Sequence, residues 1–178
     1  MEIVTRHALI EETLDEWDAA FGAARKAYRG HAYRVFNVTR RLLGRDDADD
    51  VLAVSSAFHD LGIWSDRTFD YLAPSVQRAT AWAEKSAASV DLDLVVRTIE
   101  NHHALRRYVA APDADVVDAF RRGDLVDASR GWLRSGADPS FIRELVAQWP
   151  YAGFHGIIIR TALGWMLRHP LRPLPMLR

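Results

Sequence analysis

Four side chains in this sequence are of the types that hold a divalent ion without sulfur: His31, the adjacent pair His59 and Asp60, and Asp124. Imidazole nitrogen with carboxylate oxygen suits Mn, Fe, Co, Ni or Zn better than Ca. The chain has no cysteine, which excludes thiolate ligands and disulfides. Asp60 directly follows the apolar run 51–58, and a carboxylate beside a core must be paired, capped or coordinated. Neighbouring residues on an α-helix point about 100° apart, so His59 and Asp60 reach one ion only near a helix end. Gly62 makes such an end plausible there. Asp124 and Asp127, three apart, share a helix face. Val117 and Phe120 turn that face inward and put Asp124 at the next step. Taken alone, His31 reads as readily as a structural histidine, and one of the two aspartates as a solvated partner of Arg121, Arg122 or Arg130. The order of all four candidates is what points to a metal.

These residues need helices to position them, and the hydrophobic periodicity supplies helices throughout. Leu14, Trp17, Phe21 and Ala24 form a stripe over residues 13–26, and His31, Val35, Val38 and Leu42 another over 28–43. Gly44 is placed to cap the second helix in the left-handed conformation. Residues 49–61, nearly all apolar from Val51 to Phe58, predict the central buried helix. Residues 62–73 read as a loop rich in polar and aromatic groups, with Pro74 opening the next helix. Asp91 is a cap for 92–103, a polar loop surrounds Pro112, and a helix spans 115–133. Asp138 and Pro139 open another at 140–148, and the last runs over 156–168 before the prolines of the tail. Trp132, Trp149 and Trp165 are expected in the core. The fold class is therefore all-α, a single compact helical bundle over 1–178 whose motif-bearing core spans about 28–133.

Composition narrows the partners. Hydrophobic residues at 49% and charged residues at 26% describe a globular chain, and 178 residues suffice for a core without staples. A net charge of −1 gives no field for a nucleic-acid polymer. The start, Met1 to Val4, lacks signal-peptide character, and the apolar stretch 156–167 is interrupted by Arg160 and too short to span a bilayer. The expectation is a cytoplasmic protein with no membrane association and a small-molecule substrate, and the lack of cysteine suits that reducing compartment.

Three local stretches resemble the HD-domain superfamily of metal-dependent phosphohydrolases, all-helical proteins named after a His-Asp dipeptide. Gly30-His31-Ala32-Tyr33-Arg34-Val35 is similar to the first histidine motif, Phe58-His59-Asp60-Leu61-Gly62 to the central motif, and Phe120 to Asp127 to the last. The resemblance spans residues 30–127. It implies a bundle with one divalent transition-metal ion (Mn, Fe, Co, Ni or Zn) on His31, His59, Asp60 and Asp124, and Asp127 beside the ligands. It also implies hydrolysis of a small phosphate ester or nucleotide by a metal-activated water.

Two positions depart from the family pattern. Members with two metals place further histidines between the central motif and the last Asp. Here that interval holds only the adjacent His102 and His103, and Ser75-Val76-Gln77 stands where another histidine is expected. One metal is the expectation. The family's nucleotidases carry a glutamate three residues after the central Asp, where this chain has Ile63. His102, His103 and Asp66 are then the candidates to carry the proton. Arg34 and Arg67 are the candidates to bind an anionic substrate through planar paired donors. Trp64, Phe69 and Tyr71, in the loop after the central motif, serve either as a structural lid or as substrate contacts. Two rival readings remain open: hydration of a small nitrile, as in cyanamide hydratases, and a non-catalytic HD binding or regulatory module.

Overall fold

The computed structural model describes residues 2–110 and 112–177. Met1, Ala111 and Arg178 lie outside the described residues, and with them the first residue of the Met1–Val4 stretch, one residue of the loop ahead of Pro112 and the final residue of the tail.

Apolar periodicity becomes helix along the whole chain: α1 (Ala8–Glu16), α2 (Asp18–Phe21), a 3-10 turn (Gly22–Ala24), α3 (Arg25–Leu43), α4 (Asp49–Phe58) and α5 (Gly62–Ser65). Then follow α6 (Leu72–Ala83), α7 (Leu92–Asn101), α8 (Ala114–Ala128), α9 (Pro139–Gln148) and α10 (Phe154–Arg168). No strand occurs among the described residues, so the protein is all-α. Asp91 caps α7 by accepting from Leu94 N, Asp138 caps α9, and Gly44 ends α3 at φ 76°.

Several boundaries differ from the sequence reading, each for a local reason. The stripe over 13–26 is cut at Trp17 and at Gly22, whose φ of 50° breaks the helix, so Leu14 and Phe21 reach the core from separate segments. The expected loop 62–73 contains α5, and α6 starts at Leu72, two residues before Pro74. The helix expected to reach residue 133 stops at Ala128. Arg130 (φ 54°) and Gly131 (φ 78°) turn the chain out there, leaving Trp132 89% exposed, against its expected place in the core. Trp149 is in the core, stacked on Tyr33 at 4.2 Å, and Trp165 is half-buried.

The centre belongs to α3 as much as to α4. From Ala27 to Arg40 nearly every residue of α3 is buried, despite His31, Arg34, Asn37 and Arg40 in its sequence. That is affordable only because each polar group is satisfied. Asn37 accepts from Val4 N (2.7 Å) and donates to the carbonyls of Val4 and Tyr33, and Arg40 pairs with Asp49 at 2.7 Å. Two glycines set the spacing of the elements. A Cβ on Gly123 of α8 would collide with the Thr39 hydroxyl of α3, so only glycine lets these helices meet so closely. A Cβ on Gly62 would stand 2.6 Å from the Tyr71 carbonyl oxygen and 2.9 Å from Pro74 Cβ. That contact, with Gly62 N donating to Ser75 Oγ at 3.0 Å, holds the start of α6 against the end of α4.

Candidate metal centre

The central His-Asp pair sits where α4 gives out. Phe58 is the last residue of α4, and His59, Asp60 and Leu61 form a turn before α5. This irregularity brings both side chains toward one point. His59 donates from Nδ1 to the Ser56 carbonyl at 3.0 Å, which leaves the lone pair on Nε2 facing the interior. His31, on α3, donates from Nδ1 to Asp127 Oδ2 at 2.7 Å, and its Nε2 lies 2.9 Å from His59 Nε2. Asp60 Oδ2 is 3.5 Å from His31 Nε2 and 3.7 Å from His59 Nε2; Asp124 Oδ1, from α8, is 3.8 Å from each. All four side chains are buried. For metal–ligand bonds of about 2.0–2.2 Å, adjacent ligand atoms stand roughly 3–3.5 Å apart, the scale seen here. His31, His59 and Asp124 thus form a donor group able to hold an ion, His59, Asp60 and His102 a second that shares His59, and His102, His103 and Asp124 a third that shares a residue with each.

Two orphaned atoms test the fit of a cation. Asp60 Oδ1 and His102 Nε2 are buried without hydrogen-bond partners, 3.5 Å from one another. His102 Nδ1 donates to the Ile99 carbonyl at 2.6 Å, so its free Nε2 is the atom aimed inward. A buried carboxylate oxygen and imidazole nitrogen left unpaired are costly, and a divalent ion satisfies both. The donor set fits such an ion.

Protons trace the same design. Burial works against charge on His31, but the hydrogen bonds from Asp127 and Asp60 carry its pKa up to about 9. Burial, helped by neighbouring His31 and His102 and opposed by Asp60, pushes His59 down to about 3. His31 is thus the more basic of the two facing imidazoles, and His59 is the one held neutral. Burial and the charges of Asp60 and Asp127 raise Asp124 to about 6. Asp60 goes the other way: burial opposes its ionisation, yet His59, His102 and His31 hold it well below the usual carboxylate range.

Asp124 and Asp127, one turn apart, have different partners. Asp124 faces the donor group. Asp127 lies behind His31 and takes Arg34 in a two-point pair, Nε to Oδ1 at 2.5 Å and a terminal nitrogen to Oδ2 at 3.0 Å. Burial opposes its charge, but His31 and Arg34 hold it down at about 2.

This pairing corrects the expectation for Arg34. Its remaining donors go to the carbonyls of Trp149 and Pro150, both at 3.1 Å, and the residue is fully buried, so it braces Asp127 and does not meet substrate. Asp66 and Arg67 are also elsewhere. Asp66 is exposed and paired with Arg78 at 2.8 Å, and exposed Arg67 turns the loop at φ 53°; neither lines the cavity. Loop residues gave no signal of direction. His102 and His103 do join the site. His103 Nδ1 is 3.6 Å from Asp124 Oδ2, and its Nε2 shares a hydrogen bond of 2.6 Å with the Tyr71 hydroxyl.

A cavity of about 240 Å³ opens above the donor atoms, with His31, Asp60, His103 and Asp124 at its floor. Its walls are apolar: Ile63, Phe69 and Tyr71 on one side, Phe154, Ile158 and Met176 on the other. Phe154 stacks on the His31 ring at 4.0 Å, and His155 donates from Nε2 to the Asp127 carbonyl at 2.8 Å. The contribution of α10 and the tail was invisible to sequence reasoning, because an apolar run at the end of a chain looks the same whether it fills a core or walls a cavity. A second cavity of about 200 Å³ adjoins the first, shares His103 and Asp124 with it, and includes Arg121 in its lining. No protein-family model, curated protein or solved structure matches the chain.

Proposed function

We propose that this protein is a metal-dependent hydrolase of the HD type that delivers water to a small, largely uncharged substrate. The observation that carries the reading is the crowding of buried imidazole and carboxylate atoms around His31 Nε2 and His59 Nε2, with His31, Asp60 and Asp124 reaching the cavity and His59 behind them. When bound, a divalent transition metal supplies Lewis acidity and a nucleophilic water near neutral pH. The chain's own residues do the rest. Asp127 fixes the tautomer and orientation of His31, as carboxylates behind metal-binding histidines do. Arg34 in turn holds Asp127 ionised. His103, kept neutral by burial and by His102, stands between Asp124 and the Tyr71 hydroxyl and is placed to hold or move a proton. Phe154, Phe69 and Met176 give the cavity apolar walls.

The substrate class follows from the lining. No arginine or lysine lines the main cavity, so an anionic group entering it meets no guanidinium fork. Addition of water to a small neutral electrophile, a nitrile or an amide, suits such walls. Phosphate-ester hydrolysis is the second reading, favoured by Arg121 in the adjoining cavity, although Arg121 is engaged with Asp118 at 2.8 Å.

The test is elemental analysis of protein purified without chelator, followed by assay of the loaded protein on neutral nitriles and amides against phosphate monoesters. One metal equivalent and turnover of a neutral substrate is the expected result. Two retained equivalents would add His102 and His103 to the ligands. A protein that takes up no transition metal from a stoichiometric supply sinks the hydrolase reading and leaves a binding module.

A further inference from the structure

The outer face of α10 inverts the usual pattern of a surface helix. Ile159, Leu163, Met166 and Leu167 recur at helical spacing and are all exposed, Leu167 at 85%. The tail extends this face with Leu171, 99% exposed, and with Leu174 and Leu177. Apolar residues exposed singly need no explanation, but these follow one another along one helix face and the tail after it. Arg160 borders this face, Arg168 is exposed at the end of α10 with its Nε on the Gly164 carbonyl at 2.8 Å, and Arg172 on the tail is exposed and paired with Asp70 at 3.0 Å. After Glu144 the sequence has no Asp or Glu at all, while it has four arginines, so the acid excess of the chain lies entirely before that point.

We propose that this face docks on an anionic lipid surface, with α10 lying in the interfacial plane. Leucine, isoleucine and methionine side chains would enter the acyl boundary while the flanking arginines meet lipid phosphates and carboxylates, the chemistry of interfacial amphipathic helices. This is contact with a membrane, distinct from crossing one: no helix among the described residues is long and apolar enough to span. Charge decides against a second copy of the chain as the occupant. A two-fold interface through α10 would bring Arg160 and Arg168 of two copies to one interface with no acidic residue on α10 or the tail to pair them, and like charges across an interface oppose association. The cavities give the arrangement a use. Ile159, Leu174 and Leu177 belong to the docking face and line the main cavity as well, and Leu177 with exposed Leu105 lines the adjoining one. Both cavities therefore border on the lipid side. The proposal does not depend on which reaction the metal centre performs.

Co-sedimentation of the full-length protein with vesicles tests this directly. Mixed phosphatidylcholine–phosphatidylserine vesicles should bind it, pure phosphatidylcholine vesicles should bind it several-fold less, and added salt should narrow the difference by screening. The double variant Leu163→Glu/Leu167→Glu should lose binding to both vesicle types by at least about tenfold, since two apolar side chains and two charges change together. Arg160→Gln/Arg168→Gln should lose roughly fivefold per charge on the mixed vesicles alone. Circular dichroism and metal content, unchanged in each variant, show that the fold is intact. A folded wild type that ignores both vesicle types overturns the proposal. So does a wild-type dimer in light scattering that Leu163→Glu/Leu167→Glu renders monomeric without any vesicle binding, which would assign the face to a second copy.

Discussion

The floor and the outer wall of the cavity are built on opposite principles. On the floor, polar side chains are buried, and hydrogen bonds fix the histidines and the acid behind them: His59 to Ser56, His102 to Ile99, His31 to Asp127, and Asp127 to Arg34, while Asp60 and Asp124 face these rings. The helices carrying them, α3, α4, α7 and α8, contribute to the main core, so the donor atoms are located by packing as well as by hydrogen bonds. On the wall, apolar side chains are exposed, Phe154 is the sole buried residue of α10, and the tail is anchored through Met176 in a small cluster with Ile63, Phe69, Tyr71 and Leu72. A pre-organised floor suits chemistry that tolerates little displacement, while a loosely held wall suits entry of substrate. The contrast yields predictions of graded size.

The largest effect lies on the floor and separates two aspartates on one helix. Asp124→Asn should abolish metal retention while leaving the metal-free protein as stable as wild type or more so, because it removes one of several crowded carboxylates whose ionisation burial opposes. Asp127→Asn should leave Arg34 buried without its counter-charge. Breaking such a pair costs about 3–5 kcal/mol, and loss of the carboxylate behind His31 should weaken metal binding by about 10–100-fold. Denaturant titration of the metal-free variants, with metal content measured in parallel, distinguishes them. Equal destabilisation by both substitutions would show that the two acids do not divide their roles.

The pH dependence sharpens the same point. His31 is raised from 6.5 to about 9, so its contribution to the stability of the metal-free protein is complete below about 6.5 and lost as pH rises through 9. Asp124, raised from 3.8 to about 6, likewise gives up stability as pH rises through 6. Asp127 runs the other way, with its stabilisation present above 3.8 and lost as pH falls through about 2. A metal needs His31 Nε2 and Asp124 deprotonated, so its affinity should climb over the interval in which metal-free stability declines. The gap in melting temperature between metal-loaded and metal-free protein should therefore widen from about pH 5 to about pH 8. A gap that stays constant over that interval would exclude these two groups as ligands.

Gly123 connects the floor to the backbone. Gly123→Ala must move α8 away from Thr39, an overpacking cost of about 1–3 kcal/mol, and should shift Asp124 relative to His31. Weakened metal binding in a protein that still unfolds cooperatively is the expected result; unchanged affinity would mean that the helix spacing does not locate the ligand.

What the sequence disclosed follows the same division. The all-α class and the caps at Asp91 and Asp138 were legible, and buried polar residues embedded in apolar runs stand out enough to mark His31, His59, Asp60 and Asp124, which the fold brings to the same buried region. Arg34 was legible as important but misassigned: a guanidinium three residues from a candidate ligand reads alike whether it faces substrate or an internal carboxylate, and only the position of Asp127 decides. Tyr71 and Phe69 were legible as aromatic residues of a lid or pocket loop and do line the cavity, whereas Met176 reaches it through tertiary contacts with no local pattern to announce it. Trp132 was misread because the end of α8 depends on two left-handed residues that composition does not forecast.

The smallest effect belongs to the wall. Arg172 pairs with Asp70 at 3.0 Å, but both are solvent-exposed, and such a pair contributes at most about 1 kcal/mol. Arg172→Ala should thus change global stability by less than about 0.5 kcal/mol and leave metal content untouched. Met176 is buried at 5% exposure, and in a central core its truncation to alanine would cost about 2–5 kcal/mol. At the end of the tail, however, the chain can release locally without opening the helices beneath it. Met176→Ala should therefore lower the midpoint of global unfolding by less than about 1 kcal/mol while speeding proteolysis within residues 169–176 severalfold. Metal bound before digestion should remain bound after the tail is cut, since every donor atom lies on the floor. Should Met176→Ala instead unfold the protein at the full cost of a core residue, or clipping of the tail release the metal, wall and floor would be one cooperative unit and the division between them would fail.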